Sequence, residues 1–413
     1  MPHRLPTNTT TKHHPVHRWL SFVAGFSPEF VIAAIDHAGV ARGGVLLDPF
    51  AGMGTALVTA NLHGLDAVGY EPHPFFADIA LAKARTRSLA QVDLVSSVLA
   101  TVQPVYNLQE VWGADARTFL RKLVDEENLA FLAGARLAED ACPQDTRNIY
   151  RLVVTRILEG ATGSKTDGIY RAPATLKRSA SIQETARKVL RQIHEDICCF
   201  DLDMGQSRLF PRTAESMSDL ANNSIDLCVT SPPYLNNFDF AEMTRMQLYF
   251  WNYAASWREI TDRVRSKLVI NTTTAPTANR RRQEYWATQV PSEMLDDLTG
   301  LRESLAAQRL LRPGKKEYDS LVLPYFSQLH SVINEVHRTL KAGAPFHLVV
   351  SDAALYGVHV HTEQLLARLM SASGLEVKEI TRLRDRGGRW VLAKRQGAAD
   401  GLGEFHIHAV KTD

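Results

Sequence analysis

The chain reads as an α/β protein built on a doubly wound, mostly parallel sheet. Three observations predict this. Two short apolar runs that each end in an acid, Gly43–Asp48 and Ala67–Glu71, flank a helical stretch over Ala56–His63, which is a β-α-β unit. A glycine-bearing loop, Pro49–Thr55, joins the first strand to that helix. Far along the chain the strand pattern returns at Ser224–Thr230 and again at Phe346–Ser351.

In order, residues 1–16 are polar and rich in Pro, Thr and His, and are expected to form a flexible arm. His17–Ala38 is amphipathic, with Ser27 as N-cap and Pro28 at the first helical position. The β-α-β unit follows, its helix closed by Gly64, so that residues 17–80 make one part of a domain. Residues 81–205 break the rhythm. They have charges at helical spacing and few strand signals, and they read as a helical insertion, a candidate for target recognition, with a loop or partly disordered stretch over Gly160–Ser181. Residues 206–257 carry the next strand, which ends at Ser231-Pro232-Pro233-Tyr234, and then an aromatic helical stretch from Asn236. Residues 258–316 look irregular and basic. Residues 317–413 hold a long helix over Tyr318–Leu340, the strand Phe346–Ser351, a helix over Thr362–Ser373, and two last strands, Glu376–Arg382 and Glu404–Val410, that suit an antiparallel hairpin.

With 413 residues, 45% of them hydrophobic, the chain can bury a large core. A net charge of +2 gives no whole-chain attraction to nucleic acid, so any basic surface must be local. Cys142, Cys198, Cys199 and Cys228 form no C-x-x-C pair, and no Cys/His group has zinc-ligand spacing. The N-terminus lacks the apolar run of a signal peptide, and no segment has the length of a membrane span. The expectation is a cytoplasmic protein in a reducing compartment, without a metal or membrane.

Two strings carry chemistry. Asp48-Pro49-Phe50-Ala51-Gly52-Met53-Gly54-Thr55 sits at a strand tip before a helix N-terminus, where open α/β sheets bind ligands. Gly52 and Gly54 would let backbone approach a ligand. The loop is neither a phosphate loop nor G-x-G-x-x-G, since Leu57 stands where the third glycine would fall. An acid facing a nucleoside with an amino-acid tail suits S-adenosylmethionine better than a diphosphate. Glu71, at the next strand tip, can accept both ribose hydroxyls. In Thr230-Ser231-Pro232-Pro233-Tyr234, two prolines stiffen the backbone and fix the Pro232 carbonyl beside the Ser231 hydroxyl. Two such acceptors can pull an exocyclic amine toward a tetrahedral, nucleophilic nitrogen, and Tyr234 offers a face on which an extruded base can stack.

Together the strings resemble the amino-methyltransferases of DNA, which make N4-methylcytosine or N6-methyladenine and whose motifs read D-P-F-x-G-x-G-T and [D/N/S]-P-P-[Y/F/W]. The resemblance covers 17–80 and 205–380 in fragments. It implies a Rossmann-like methyltransferase sheet, S-adenosylmethionine as cofactor and double-stranded DNA as partner. It makes Asp48, Pro49, Phe50, Ala51, Gly52, Gly54, Thr55 and Glu71 cofactor-binding, and Ser231, Pro232, Pro233 and Tyr234 catalytic. It also gives Phe22, in Phe22–Glu29, to the cofactor. Serine at the first catalytic position goes more often with cytosine N4 than adenine N6. A covalent 5-methylcytosine mechanism needs a Pro-Cys nucleophile, which the motif lacks. The sequence departs from the family at Thr213, where an acid that holds the adenine ring is expected, in the length of the segment between Glu71 and Ser231, and in having no separate recognition domain.

Other readings stay open. Asn236 and Asp239 either line a base pocket or belong to a capped helix. Arg280, Arg281 and Arg282 are either phosphate contacts or solvated surface, and Arg384, Arg386 and Arg389 form a second basic loop. An RNA base-amine methyltransferase and a non-catalytic nucleic-acid binder are the rival functions. A restriction or defence-system partner and the oligomeric state are left open.

Overall fold

Local sequence sets the first unit. Helix α1 (Pro28–Ala38) starts where the Ser27 hydroxyl accepts the Phe30 N–H and ends at Gly39 in the left-handed region. Strand β1 (Val45–Asp48), helix α2 (Thr55–Leu62), strand β2 (Asp66–Tyr70) and helix α3 (Pro74–Arg85) follow. An insertion carries α4 (Leu89–Ala100), α5 (Ala114–Leu120), α6 (Glu126–Ala138), α7 (Gln144–Ala161), the antiparallel pair β3 (Ser164–Thr166) and β4 (Arg171–Leu176), and α8 (Ile182–Ile197). The sheet resumes with β5 (Ser207–Phe210) and β6 (Leu227–Thr230). Next come α9 (Phe240–Met243), α10 (Arg245–Phe250), α11 (Trp257–Arg263), α12 (Gln283–Ala287), α13 (Ser292–Leu310) and α14 (Val322–Thr339). The chain closes with β7 (Pro345–Ser351), β8 (Ala353–Leu355), β9 (Val358–Val360), α15 (Thr362–Ala372), β10 (Leu375–Asp385) and β11 (Gly403–Lys411). The structure is a computed structural model and describes residues 8–21, 25–166, 171–176, 179–200, 204–236, 239–273, 282–311, 317–386 and 401–412.

Seven strands form one sheet in the order β10-β11-β7-β6-β1-β2-β5. All neighbours pair in parallel except β11, which runs antiparallel to both β7 and β10. The chain winds outward from β1 through β2 to β5, then returns to β6 on the other side of β1. The reversal leaves a cleft beyond the tips of β1 and β6, the place where ligands bind in open α/β sheets. Alternation along the strands serves two layers. Leu46, Leu227 and Val229 pack under α1 and α2, while Leu47 and Cys228 face α14 on the opposite side.

The β-α-β unit, the strands β6 and β7, and the final hairpin stand as the residues predict. Three expectations are corrected. Residues 8–16, expected to be a flexible arm, dock onto the domain. Thr10 and His14 bind Glu29, and the Val16 N–H donates to the buried Asp196 carboxylate, which also takes Arg18 and Trp19. Within 160–181, expected to be loop, the described residues include the β3–β4 pair. The stretch 258–316, expected to be irregular, contains the 19-residue α13; only Met294, Leu298 and Leu305 are buried along it, a stripe too thin to show in the pattern. The described residues of the insertion 81–205 pack as part of the domain. Its apolar residues share one core with α3 and with residues 241–264, and Trp112 and Trp251 donate across the seam to Phe250 O and Thr155 Oγ1. Among the described residues no helix is long and apolar enough to cross a membrane, and no group of three or more His, Cys, Asp or Glu side chains is placed to hold a metal. The four cysteines are unbridged.

Candidate active site

The parallel register Leu46↔Leu227 and Leu47↔Cys228 brings the tips of β1 and β6 side by side. The Thr230 hydroxyl donates to Asp48 Oδ1 at 2.6 Å, and the Phe50 N–H donates to the same oxygen at 3.1 Å. Asp48 is 1% exposed. Burial pushes its carboxyl up to about 7 despite those two donors. Beyond it the loop turns through Gly52 and Gly54, both at positive φ. The Gly52 N–H donates to Glu71 Oε2 at 2.9 Å and the His73 N–H to Glu71 Oε1 at 2.8 Å. Glu71 is also buried, and desolvation lifts it to about 7, with Asp48 adding a smaller push. Two carboxyl groups thus stand at adjacent strand tips with backbone and hydroxyl donors but, among the described residues, no salt-bridged cation.

The second loop is held from two directions. The Tyr325 hydroxyl, on α14, donates to Pro233 O at 3.0 Å, and the Tyr234 hydroxyl donates to Glu404 Oε1 at 2.8 Å. Glu404 is 4% exposed and is clasped by Arg384 through Nε–Oε2 at 2.8 Å. Since β11 is the reversed strand, its first residues reach the cleft that the other strands reach with their last ones. Asp352 fixes that start by accepting the Gly403 N–H, and His359 binds its other oxygen. Burial and the neighbouring Glu404 carboxylate push the Tyr234 phenol up, so it stays a neutral donor. The Arg386 guanidinium lies over the Tyr234 ring, 5.1 Å from its centroid.

Both loops line one cavity of about 590 Å³, within the size range of small-molecule sites. Asp48, Pro49, Phe50, Ala51, Gly52, Thr55, Glu71 and all of Ser231, Pro232, Pro233 and Tyr234 are on its wall. Gly54 is not. An added Cβ there would lie 3.1 Å from Ala80 Cβ, so this glycine lets α2 approach α3 rather than letting backbone approach a ligand. Asn236 and Asp239 also stay off the wall. Asp239 caps α9 by accepting the Ala241 and Glu242 N–H groups and pairs with Arg265 at 2.7 Å; the Asn236 amide oxygen is buried beside the loop. Arg282 is exposed, stacks on Tyr285 and Trp286, and is not on the cavity wall. Phe22, Arg280, Arg281 and Arg389 lie outside the described residues.

The wall also holds residues that the sequence did not single out as a site: Lys83, Lys267, Asn271 and Glu404. Thr213 lines the cavity where an acid is expected, and Glu215, two residues on, does so as well, half-buried and bonded to Gln328 at 3.1 Å. An acid at the start of an antiparallel strand in a parallel sheet is the signal that marks Glu404; Lys83 sits in an ordinary helical pattern and carries none.

No protein-family profile matches the chain. Curated relatives do. It is 23% identical over 441 residues to the type II methyltransferase M.BsoBI of Geobacillus stearothermophilus, an alignment that spans 93% of this chain and 83% of the relative. It is 21% identical over 414 residues to the type II methyltransferase M.AvaI of Nostoc sp. (strain PCC 7120) and of Anabaena variabilis, with 89% and 81% covered. Among solved structures it is similar to a geranyl diphosphate C-methyltransferase from Streptomyces coelicolor A3(2) (TM-score 0.34, 10% identity, 96% of this chain and 77% of that one). A methyltransferase from Methanosarcina mazei gives a TM-score of 0.31 at 10% identity, with 92% and 97% covered.

Proposed function

We propose that the protein is an S-adenosylmethionine-dependent DNA methyltransferase that acts on the exocyclic amine of an extruded base, with cytosine N4 the favoured target. The observation that carries this reading is the Thr230–Asp48 hydrogen bond, which joins two strings 182 residues apart into one cavity wall. Similarity to type II methyltransferases along most of both chains supports the enzyme class and a restriction-modification setting.

The residues present fit the cofactor. Two buried carboxyl groups, both raised toward neutrality by burial, suit a ligand that carries positive charge. S-adenosylmethionine supplies a methyl group on a positively charged sulfur. Glu71 keeps lone pairs for ribose hydroxyls beyond the N–H groups of Gly52 and His73. Ser231 Oγ and the Pro232 carbonyl accept the hydrogens of the target amine, which localises its lone pair for direct attack. Tyr234 holds the base by stacking, and the Arg386 guanidinium over its ring supports the reading that the ring face accepts a planar group. The bond between Tyr234 and Glu404 fixes the plane of that ring. Ser231 at the first catalytic position, by the resemblance, favours cytosine N4.

Transfer of labelled methyl from S-adenosylmethionine into duplex DNA and into tRNA, followed by nucleoside mass spectrometry, tests the proposal. N4-methylcytosine in DNA is expected. N6-methyladenine would move the target base and keep the enzyme class. Label in tRNA alone, or bound cofactor with no transfer to either, would overturn the proposal.

A further inference from the structure

Beside Leu20, on the wall of the same cavity, the described residues place a lysine without an acid. Lys83 lies on α3, one turn beyond the Ala80 that packs on Gly54, so it stands near the first turn of α2. It lines the cavity and is only 6% exposed. Its Nζ donates to Leu20 O at 2.6 Å. Among the described residues it has no ion pair. Its neighbours make the deficit worse. Arg156, on α7, donates to Trp19 O at 2.6 Å in the same corner, and its charge opposes that of Lys83. Asp196, the acid behind this segment, is already taken by Arg18, Trp19 and the Val16 N–H. Burial, with Arg156 adding to it, pulls the amine down to about 7.

A buried ammonium with a single carbonyl partner is costly, and the cost falls if an anion arrives. The cavity is the side from which one can. We propose that Lys83 receives the carboxylate of the cofactor's amino-acid tail. The inference rests on the assignment of this cavity to S-adenosylmethionine. It orients the ligand as well: tail toward Leu20 and Lys83, ribose toward Glu71, sulfur toward Ser231. A lysine that merely braced the Leu20 segment would make the same hydrogen bond but would not distinguish ligands by their tails.

That difference sets the experiment. Calorimetry on the full chain compares S-adenosylmethionine with its decarboxylated form, which differs by the carboxylate alone. The wild type is expected to prefer the intact molecule by about 30-fold, the worth of one charge-assisted hydrogen bond. Lys83→Met should abolish that preference while leaving affinity for the decarboxylated ligand within about twofold, which also shows that the variant is folded. Lys83→Arg should restore much of the preference. An undiminished preference in Lys83→Met, or an equal loss for both ligands, would overturn the assignment of Lys83. A wild type that binds neither ligand would overturn the cofactor assignment itself, and this proposal with it.

Discussion

Cofactor affinity should climb as pH rises toward 7, because binding must ionise two buried acids. Asp48 is lifted from 3.8 to about 7 and Glu71 from 4.5 to about 7, in both cases chiefly by burial. A ligand that donates its ribose hydroxyls to Glu71 and brings positive charge into the same cavity stabilises both carboxylates and so expels their protons. At pH 6 each group is only about one-tenth ionised in the empty pocket, so each lowers the association constant about tenfold relative to a fully ionised site. The two groups together give a loss of about 10- to 100-fold, the upper limit holding if they titrate independently. Above pH 7 the sign reverses, since Lys83 is held near 7 and a carboxylate ligand must then recharge it. Titration calorimetry of S-adenosylmethionine at pH 6, 7 and 8, in buffers of different ionisation enthalpy, reads both the affinity and the protons exchanged. Lys83→Met should remove the falling limb, and Asp48→Asn should reduce the steepness of the rising limb. An affinity that is level from pH 6 to 7, or that falls over that range, would refute the claim that binding ionises these acids.

Three further outcomes follow from the geometry. Asp48→Asn should make the ligand-free protein less sensitive to pH. An acid with a raised folded pKa stabilises the fold at low pH and loses that contribution between about 4 and 7, at about 1.4 kcal/mol per pH unit; urea titrations at pH 5 and 7.5 should therefore differ less for the variant than for the wild type. Glu404→Gln, which breaks the clasp from Arg384 and weakens the hold on Tyr234, should lower kcat about tenfold with cofactor affinity unchanged. It should also give little further loss in a Tyr234→Phe background, and full additivity would show that the two residues act separately. Gly54→Ala forces a side chain into φ +83 with its Cβ 3.1 Å from Ala80, and should cost about 1–3 kcal/mol in equilibrium unfolding; an unchanged midpoint would show that α2 and α3 are not in contact there.

The parts of the fold that the sequence disclosed are those buried on both faces. Leu46 and Leu47 each face a helical layer, as do Leu227 and Cys228, so β1 and β6 are unbroken apolar runs that end where an acid or a proline meets the cleft. What stayed hidden is held by context. Edge strand β5 is four residues long, with only alternate positions buried. The hairpin β8–β9 depends on Tyr356 and Gly357 both adopting positive φ, which Tyr does not advertise. Residues 8–16 look like a loose arm because the partners of Thr10, His14 and the Val16 N–H, which are Glu29 and Asp196, lie elsewhere in the chain. The site divides in the same way. Asp48, Glu71 and Ser231–Tyr234 are legible as strand tips, whereas Glu404 reaches the cavity only because β11 is reversed. Asp239 follows the catalytic loop directly, which leaves a base-pocket role and a helix cap both open in the sequence; its carboxylate is committed to the cap and to Arg265.

A structure with S-adenosylhomocysteine and a duplex that carries the target base tests most directly whether the two strand tips serve one reaction. The ribose is expected on Glu71, the sulfur is expected to point at the amine held by Ser231 and Pro232, and the base is expected to lie on Tyr234 in place of Arg386. A nucleoside seated away from the tip of β1, or a base amine held on the far side of Ser231 from the sulfur, would contradict it.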